Sequence, residues 1–376
     1  MLELLTLLTF VALGVFAAFK CGSWKKMPTF DFLVLTLFWF VMCCFIDLFA
    51  TERLLFYSND QEAFVNAAVN VYSCVRFDCS EIDFRYLTQS VPAALFISFG
   101  LEPLNVLKGL NYLCWILLYR LYLSYSFNTV NTKFLKNKYI KFIFLGPTLM
   151  LFSIIGNRDL IVVLLFCIFF VSLYKHKFFS CMFVLLLMFV LRFQSAILLF
   201  FLLLISKSIK IRQYSFLKSS VLALGMSFGC ALFGQIMLND FFYIYGYYGI
   251  QFESILNFKG IIVSVFNLFG LGFLFSSLDT SPNSILKLLA ARIIFFDTLI
   301  YLAFAVSFIL FPSSLSKTDS KAESLRTWII AIALFYGVIS YHFSFFSLRQ
   351  NLPFFYMLIM VHLMSKTTDR SVRDRE

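Results

Sequence analysis

Residues 160–206 read LIVVLLFCIFFVSLY (160–174), KHK (175–177), FFSCMFVLLLMFVL (178–191), RFQ (192–194) and SAILLFFLLLIS (195–206). The apolar runs are continuous. A half-buried strand would instead alternate apolar and polar residues, because its side chains change face at every position. The runs therefore read as helices, and as short ones. At about 1.5 Å rise per residue, 12–15 residues span roughly 18–23 Å, against a hydrocarbon core of about 30 Å. Half-length helices of this kind line a cavity or a thinned region of bilayer. The turn between the second and third runs carries Arg192 with no acid beside it. One hairpin earlier, the runs Phe142–Gly156 and Leu160–Tyr174 flank Gly156-Asn157-Arg158-Asp159, so a second arginine occupies an equivalent turn.

The whole chain is built in this style. Of 376 residues, 61% are hydrophobic and 14% charged, with mean hydropathy +0.88. A soluble domain averages about 45–50% apolar and about 25% charged. The fold class expected is all-α: a polytopic integral membrane protein with about 11 transmembrane helices plus short re-entrant or interfacial helices. Residues 1–376 form a single transmembrane domain in this reading, since no polar segment exceeds roughly 40 residues. The net charge of +11 does not point to nucleic acid, because Lys and Arg fall in short loops between spans, as the positive-inside rule requires.

The first run begins at Leu2 with no basic segment before it and reads as an uncleaved span. Lys20, Lys25 and Lys26 place the following loop in the cytoplasm, and Phe30–Ala50 returns outward. Residues 51–103 form the first external segment, with Asp60, Glu62, Asp78, Glu81 and Asp83, an amphipathic stretch Glu62–Tyr72, and a short apolar run at 89–101. Leu104–Phe127 crosses inward to the basic loop of Lys133, Lys136, Lys138 and Lys141. A second external loop spans 239–259 with Tyr243, Tyr245, Tyr247 and Tyr248. If 260–278 is re-entrant, the basic C-terminal tail lies inside and Arg349 outside. Most of the nine cysteines sit in apolar runs as small hydrophobes. Cys74 and Cys79, in the external segment, are placed to form a disulfide there.

Arg158, Arg192 and Arg349 are the candidate anion site. Charge deep in apolar sequence survives when it faces a cavity, a partner or the membrane edge, and a guanidinium forks onto phosphate with two parallel hydrogen bonds. The bland alternative is snorkelling to the interface, and Asp159 is a ready partner for Arg158. Asp60, in Tyr57-Ser58-Asn59-Asp60-Gln61-Glu62, is a candidate general base for an acceptor hydroxyl or a ligand for a divalent metal; its alternative is a helix cap. Glu102-Pro103 opens a span, where a carboxylate is favoured by the helix dipole. His176, His342 and His362 are scattered and form no metal motif, and no cofactor motif is present.

The order Tyr57-x-x-Asp60, Glu102-Pro103-Leu104, the Arg158 turn before a helix ending in Lys175-His176-Lys177, then Leu191-Arg192-Phe193-Gln194-Ser195-Ala196 and a late arginine resembles the Wzy/EpsG-type polysaccharide polymerases. More distantly it is similar to the GT-C glycosyltransferases. The resemblance implies polymerisation of undecaprenyl-pyrophosphate-linked oligosaccharide units, as in O-antigen or exopolysaccharide assembly, at the periplasmic face of the bacterial inner membrane. It further implies pyrophosphate binding by Arg158, Arg192 and Arg349, and assistance to the acceptor by Asp60 and Glu102. A flippase and a chain-length regulator are the partners implied. The chain departs from the pattern at Arg192-Phe193-Gln194, where EpsG-type enzymes often carry a His, and at Gln61-Glu62, where GT-C enzymes often pair acids. A single-sugar GT-C transferase and a flippase or transporter of the same lipid-linked glycan are the alternatives.

Overall fold

The computed structural model describes residues 2–20, 24–49, 58–75, 87–126, 141, 143–154, 156, 159–192, 195–196, 199–200 and 202–204, and short helical pieces between 352 and 364. All regular structure among them is helical. The chain divides into two compact units. One comprises Met1–Ile168, Met182–Ala196 and Pro282–Ile294, the other Phe169–Cys181, Ile197–Ser281 and Phe295–Glu376.

In the first unit, α1 (Leu2–Phe19) and α2 (Thr29–Phe49) are the two described helices long and apolar enough to cross a membrane. Both keep a broad apolar face uncovered. Leu4, Leu5, Leu8, Val15 and Phe16 on α1 and Phe30, Leu33, Leu37, Val41 and Phe45 on α2 are exposed. The core of a soluble protein would bury such residues. α3 (Ser58–Val75) and α4 (Leu87–Ser98) follow and pack on each other. At 12 residues, α4 is about 18 Å long, matching the short run expected there. Gly100, at φ +81, closes its C-terminal turn, with its N–H donated to the Ile97 carbonyl at 2.8 Å. That left-handed geometry suits glycine.

α5 (Pro103–Ser126) is the longest described helix, at 24 residues, and the unit is organised around it. Against α1 it packs through two reciprocal notches. Gly109 lies beneath the Phe10 ring, and Gly14 beneath the Tyr112 ring and hydroxyl, each so close that no Cβ fits. The partners run early with early and late with late (Thr6 with Glu102, Ala17 with Arg120), so α1 and α5 are parallel. α2 is antiparallel to α5, since Asp47 near its end meets Lys108 and Asp31 near its start meets Tyr119. The end of α2 and the start of α5 therefore lie at one end of the unit, and α3 and α4 fall between them in sequence.

The run 142–156 is not one helix. It breaks at Leu145-Gly146, and α6 (Pro147–Ser153) starts afresh with proline in its first turn. Proline has no N–H to continue the preceding turn. α7 (Asp159–Tyr174) and α8 (Phe178–Leu191) fall on the expected runs. Their connection is a Schellman closure, in which Lys177 N–H reaches the Ser172 carbonyl at 2.8 Å and His176 N–H the Leu173 carbonyl at 3.2 Å. His176 takes the left-handed position at φ 57.

Candidate functional site

α5 is too polar to be a simple hydrophobic span, and its polar residues are not scattered. Asn105, Lys108, Asn111, Tyr112, Trp115, Tyr119 and Arg120 are all buried. They recur at helical spacing, and their hydrogen bonds go to α2, to α6 and to the residues around them. At the N-terminal end, Glu102 precedes Pro103, and its Oε2 accepts the Asn105 N–H at 2.7 Å. The Glu102 N–H is donated to Thr6 Oγ1 of α1 at 2.9 Å. Next along the face, the Asp47 carboxylate accepts from both Asn105 Nδ2 (2.8 Å) and Lys108 Nζ (3.3 Å). The side chains of this ion pair are 4% and 1% exposed. Asn105 cannot turn its amide over, because Asp47 offers only acceptors. Its Oδ1 is left buried without a partner.

The middle of the face is neutral. Asn111 Nδ2 donates to the Phe152 carbonyl, the Tyr112 hydroxyl pairs with Thr36 at 2.7 Å, and the Trp39 ring stacks on Tyr112 at 4.3 Å. Trp39 Nε1 and Trp115 Nε1 reach the Ser153 and Phe144 carbonyls. Where α6 and the segment before it give up helical continuity, the indoles and Asn111 thus serve their carbonyls.

At the C-terminal end, Tyr119 donates to Asp31 Oδ2 at 2.6 Å, and Lys141 Nζ meets Asp31 Oδ1 at 2.8 Å. Arg120, 1% exposed, turns to the α1–α2 connection. Its guanidinium donates to the carbonyls of Ala17, Trp24 and Lys25.

The structure places the sequence candidates unequally. Glu102 is a cap: its carboxylate holds the third amide of α5, at the same end of the helix as the Asp47–Lys108 pair. Gly156, which opens the Arg158 turn, lies against Leu104 and Leu107 of α5, so that turn begins at the same end too. Arg158 and Arg349 lie outside the described residues. Asp60 is in the first turn of α3, inside the helix rather than ahead of it, and its side chain is likewise not described. Arg192 ends α8. It is half-buried, its N–H bonds the Met188 carbonyl at 2.7 Å, and no described ion pair uses its guanidinium. Cys74 is disulfide-bonded, with its partner outside the described residues. Cys43, Cys44, Cys114, Cys167 and Cys181 are free. Among the described residues no group of three or more His, Cys, Asp or Glu gathers to hold a metal.

Sequence reading missed the ionic residues of the α2–α5 face. The signal was present: two acids, Asp31 and Asp47, inside one apolar run, and two bases, Lys108 and Arg120, inside another. Asp47 and Lys108 are each costly alone and mutually explained as partners, whereas Asp31 is met by Tyr119 and Lys141 and Arg120 by backbone carbonyls.

No protein-family model matches this chain, no curated protein matches it, and no solved structure matches it.

Proposed function

We propose that the chain is a polysaccharide polymerase of the bacterial inner membrane, joining undecaprenyl-pyrophosphate-linked oligosaccharide units at its outer face. The observation that carries the reading is Arg192: a half-buried arginine directly after an otherwise uncharged helix, with no described ion pair. A cation so placed is suited to an anion arriving in lipid, and its planar fork fits pyrophosphate oxygens. Arg158 and Arg349 complete the anion site in this proposal, and Asp60 takes the acceptor proton, with Glu102 beside the acceptor. The uncovered apolar faces of α1, α2 and α8 support a multi-pass membrane setting. The Cys74 disulfide supports an oxidising compartment for α3, with Cys79 as the proposed partner.

The test is complementation of a host deleted for this gene, read as the size ladder of its surface polysaccharide. Arg192→Gln and Asp60→Asn, each made at normal level, are expected to collapse the ladder to a single capped unit. Loss of that unit, with the lipid-linked intermediate one sugar short, would instead identify a single-sugar transferase. A normal ladder in both variants removes the site assignment.

A second reading, a flippase or transporter of the same glycan lipid, is favoured by the Asp47–Lys108 pair, because ionic groups buried between apolar helices are a recurrent device of transport proteins. It predicts that Asp60→Asn is tolerated while Asp47→Asn stops translocation of the intermediate.

A further inference from the structure

The described residues of the α1–α2 connection carry exposed lysines and are held in place from below. Lys20, Lys25 and Lys26 are all exposed, and neither Lys20 nor Lys26 has a described ion-pair partner. The backbone beneath them is fixed at several points. Arg120 binds the Ala17, Trp24 and Lys25 carbonyls. The Lys25 N–H is donated to Ser124 Oγ at 2.8 Å, and the Met27 N–H to the Ala18 carbonyl at 3.1 Å. Met27 is buried, anchoring the far side of the turn. Drawing carbonyls inward leaves the lysine side chains on the outer side. The Arg120 guanidinium itself is buried beneath the turn, with the three carbonyl dipoles oriented toward it. Asp31, near the start of α2, is met by Tyr119 and Lys141.

Immediately beyond the lysines the surface becomes apolar. Val15 and Phe16 on α1, and Phe30, Leu33 and Val34 on α2, are exposed. Uncovered apolar side chains below and exposed ammonium groups above define the boundary between acyl chains and headgroups.

We propose that the α1–α2 turn is a docking site for the headgroups of anionic phospholipids, with Lys20, Lys25 and Lys26 contacting the phosphodiester and Arg120 holding the turn in its binding form. The inference rests on the membrane setting proposed above and is independent of the chemistry assigned to Asp60 and the arginines. The occupant is a lipid, not a soluble phosphate, because the lysines border exposed apolar surface on both helices that the acyl chains of the same molecule would cover.

The test uses the full-length protein in nanodiscs of zwitterionic phosphatidylcholine alone and of phosphatidylcholine mixed with phosphatidylglycerol. Retained lipid is weighed by native mass spectrometry, and a photoactivatable phosphatidylglycerol is mapped by peptide sequencing. The native chain is expected to enrich phosphatidylglycerol and to crosslink within 18–28. Each Lys→Gln change is expected to reduce the enrichment by up to about fivefold, additively on a logarithmic scale and less at high salt. Equal retention of both lipids, or undiminished enrichment in the Lys20→Gln/Lys25→Gln/Lys26→Gln variant, overturns the proposal. A chain that does not enter either nanodisc overturns the membrane reading instead. Lys→Arg at the same three positions is expected to keep the enrichment, which separates loss of charge from loss of fold.

Discussion

Replacing Arg120 tests how the first unit is held together. The guanidinium is 1% exposed and serves three backbone carbonyls from the end of α5. In Arg120→Met the stem volume is largely kept and the donors are lost. Of the three acceptors, the Ala17 carbonyl belongs to a buried residue and Trp24 is half-buried, whereas Lys25 is exposed and its carbonyl is readily rehydrated. A buried acceptor left without a donor costs about 1–3 kcal/mol, so two of them give roughly 2–6 kcal/mol. Removing a buried charge returns part of its desolvation cost, and the net loss expected is about 2–4 kcal/mol. Arg120→Lys keeps the charge but replaces a planar fork with one ammonium, which cannot reach acceptors on both edges; its expected loss is about half as large. Two assays read this. Detergent-titrated unfolding, followed by tryptophan fluorescence, gives the global change. Tryptic cleavage at Lys20, Lys25 and Lys26 gives the local one, because cleavage of a transiently opened turn follows its population. A loss of 2 kcal/mol raises that population about 30-fold. A Met variant within about 0.5 kcal/mol of the native chain, with unchanged cleavage, would refute the claim that these carbonyls depend on Arg120.

Two further outcomes follow from the α5 contacts. Asp47→Leu or Lys108→Leu alone strands a buried charge and is expected to cost about 3–5 kcal/mol, while the double Leu variant recovers most of it; this is measured as a double-mutant cycle in detergent unfolding, and additive losses would show that the pair does not interact. Gly109→Ala drives a Cβ into the Phe10 ring and is expected to cost about 1–3 kcal/mol through overpacking, with Phe10→Leu relieving it in the same chain; no difference between Gly109→Ala in the two backgrounds would place the strain elsewhere.

The helices were legible in the sequence to different degrees, for physical reasons. α1, α2, α7 and α8 are continuous apolar runs bounded by charge or turn residues, and their observed ends lie within one residue of the expected ones. The run at 142–156 misled because hydropathy does not register backbone capacity. Phe142–Gly156 is apolar throughout, yet Pro147 cannot donate to the turn before it, and the chain restarts there. Glu102 was legible both as an acid and as a cap. Its position before Pro103 is the cap signature, and the Asn105 amide does use its carboxylate.

The larger omission concerns what counts as an outlying charge. Arginines at the junctions of apolar runs stand out because each is alone in its neighbourhood. Asp47 and Lys108 do not, because each sits inside a run whose average stays apolar, and their relation spans 61 positions of sequence. Sequence spacing cannot bring them together; the antiparallel packing of α2 on α5 does. The packing is in turn encoded by smaller signals: Gly14 and Gly109 admit Tyr112 and Phe10, which fixes the α1–α5 register, and Arg120 closes the α1–α2 turn over the other end. Once α1 and α5 are parallel and α2 is antiparallel to both, Asp47 and Lys108 face each other by geometry. Glu102, the Asp47–Lys108 pair and the start of the Arg158 turn then share one end of α5, while the lysines and Arg120 occupy the other. The first unit is thus polar along α5, with different charged groups at its two ends. That polarity arises here from two glycine notches and one buried guanidinium, not from the hydropathy that first identifies the fold class.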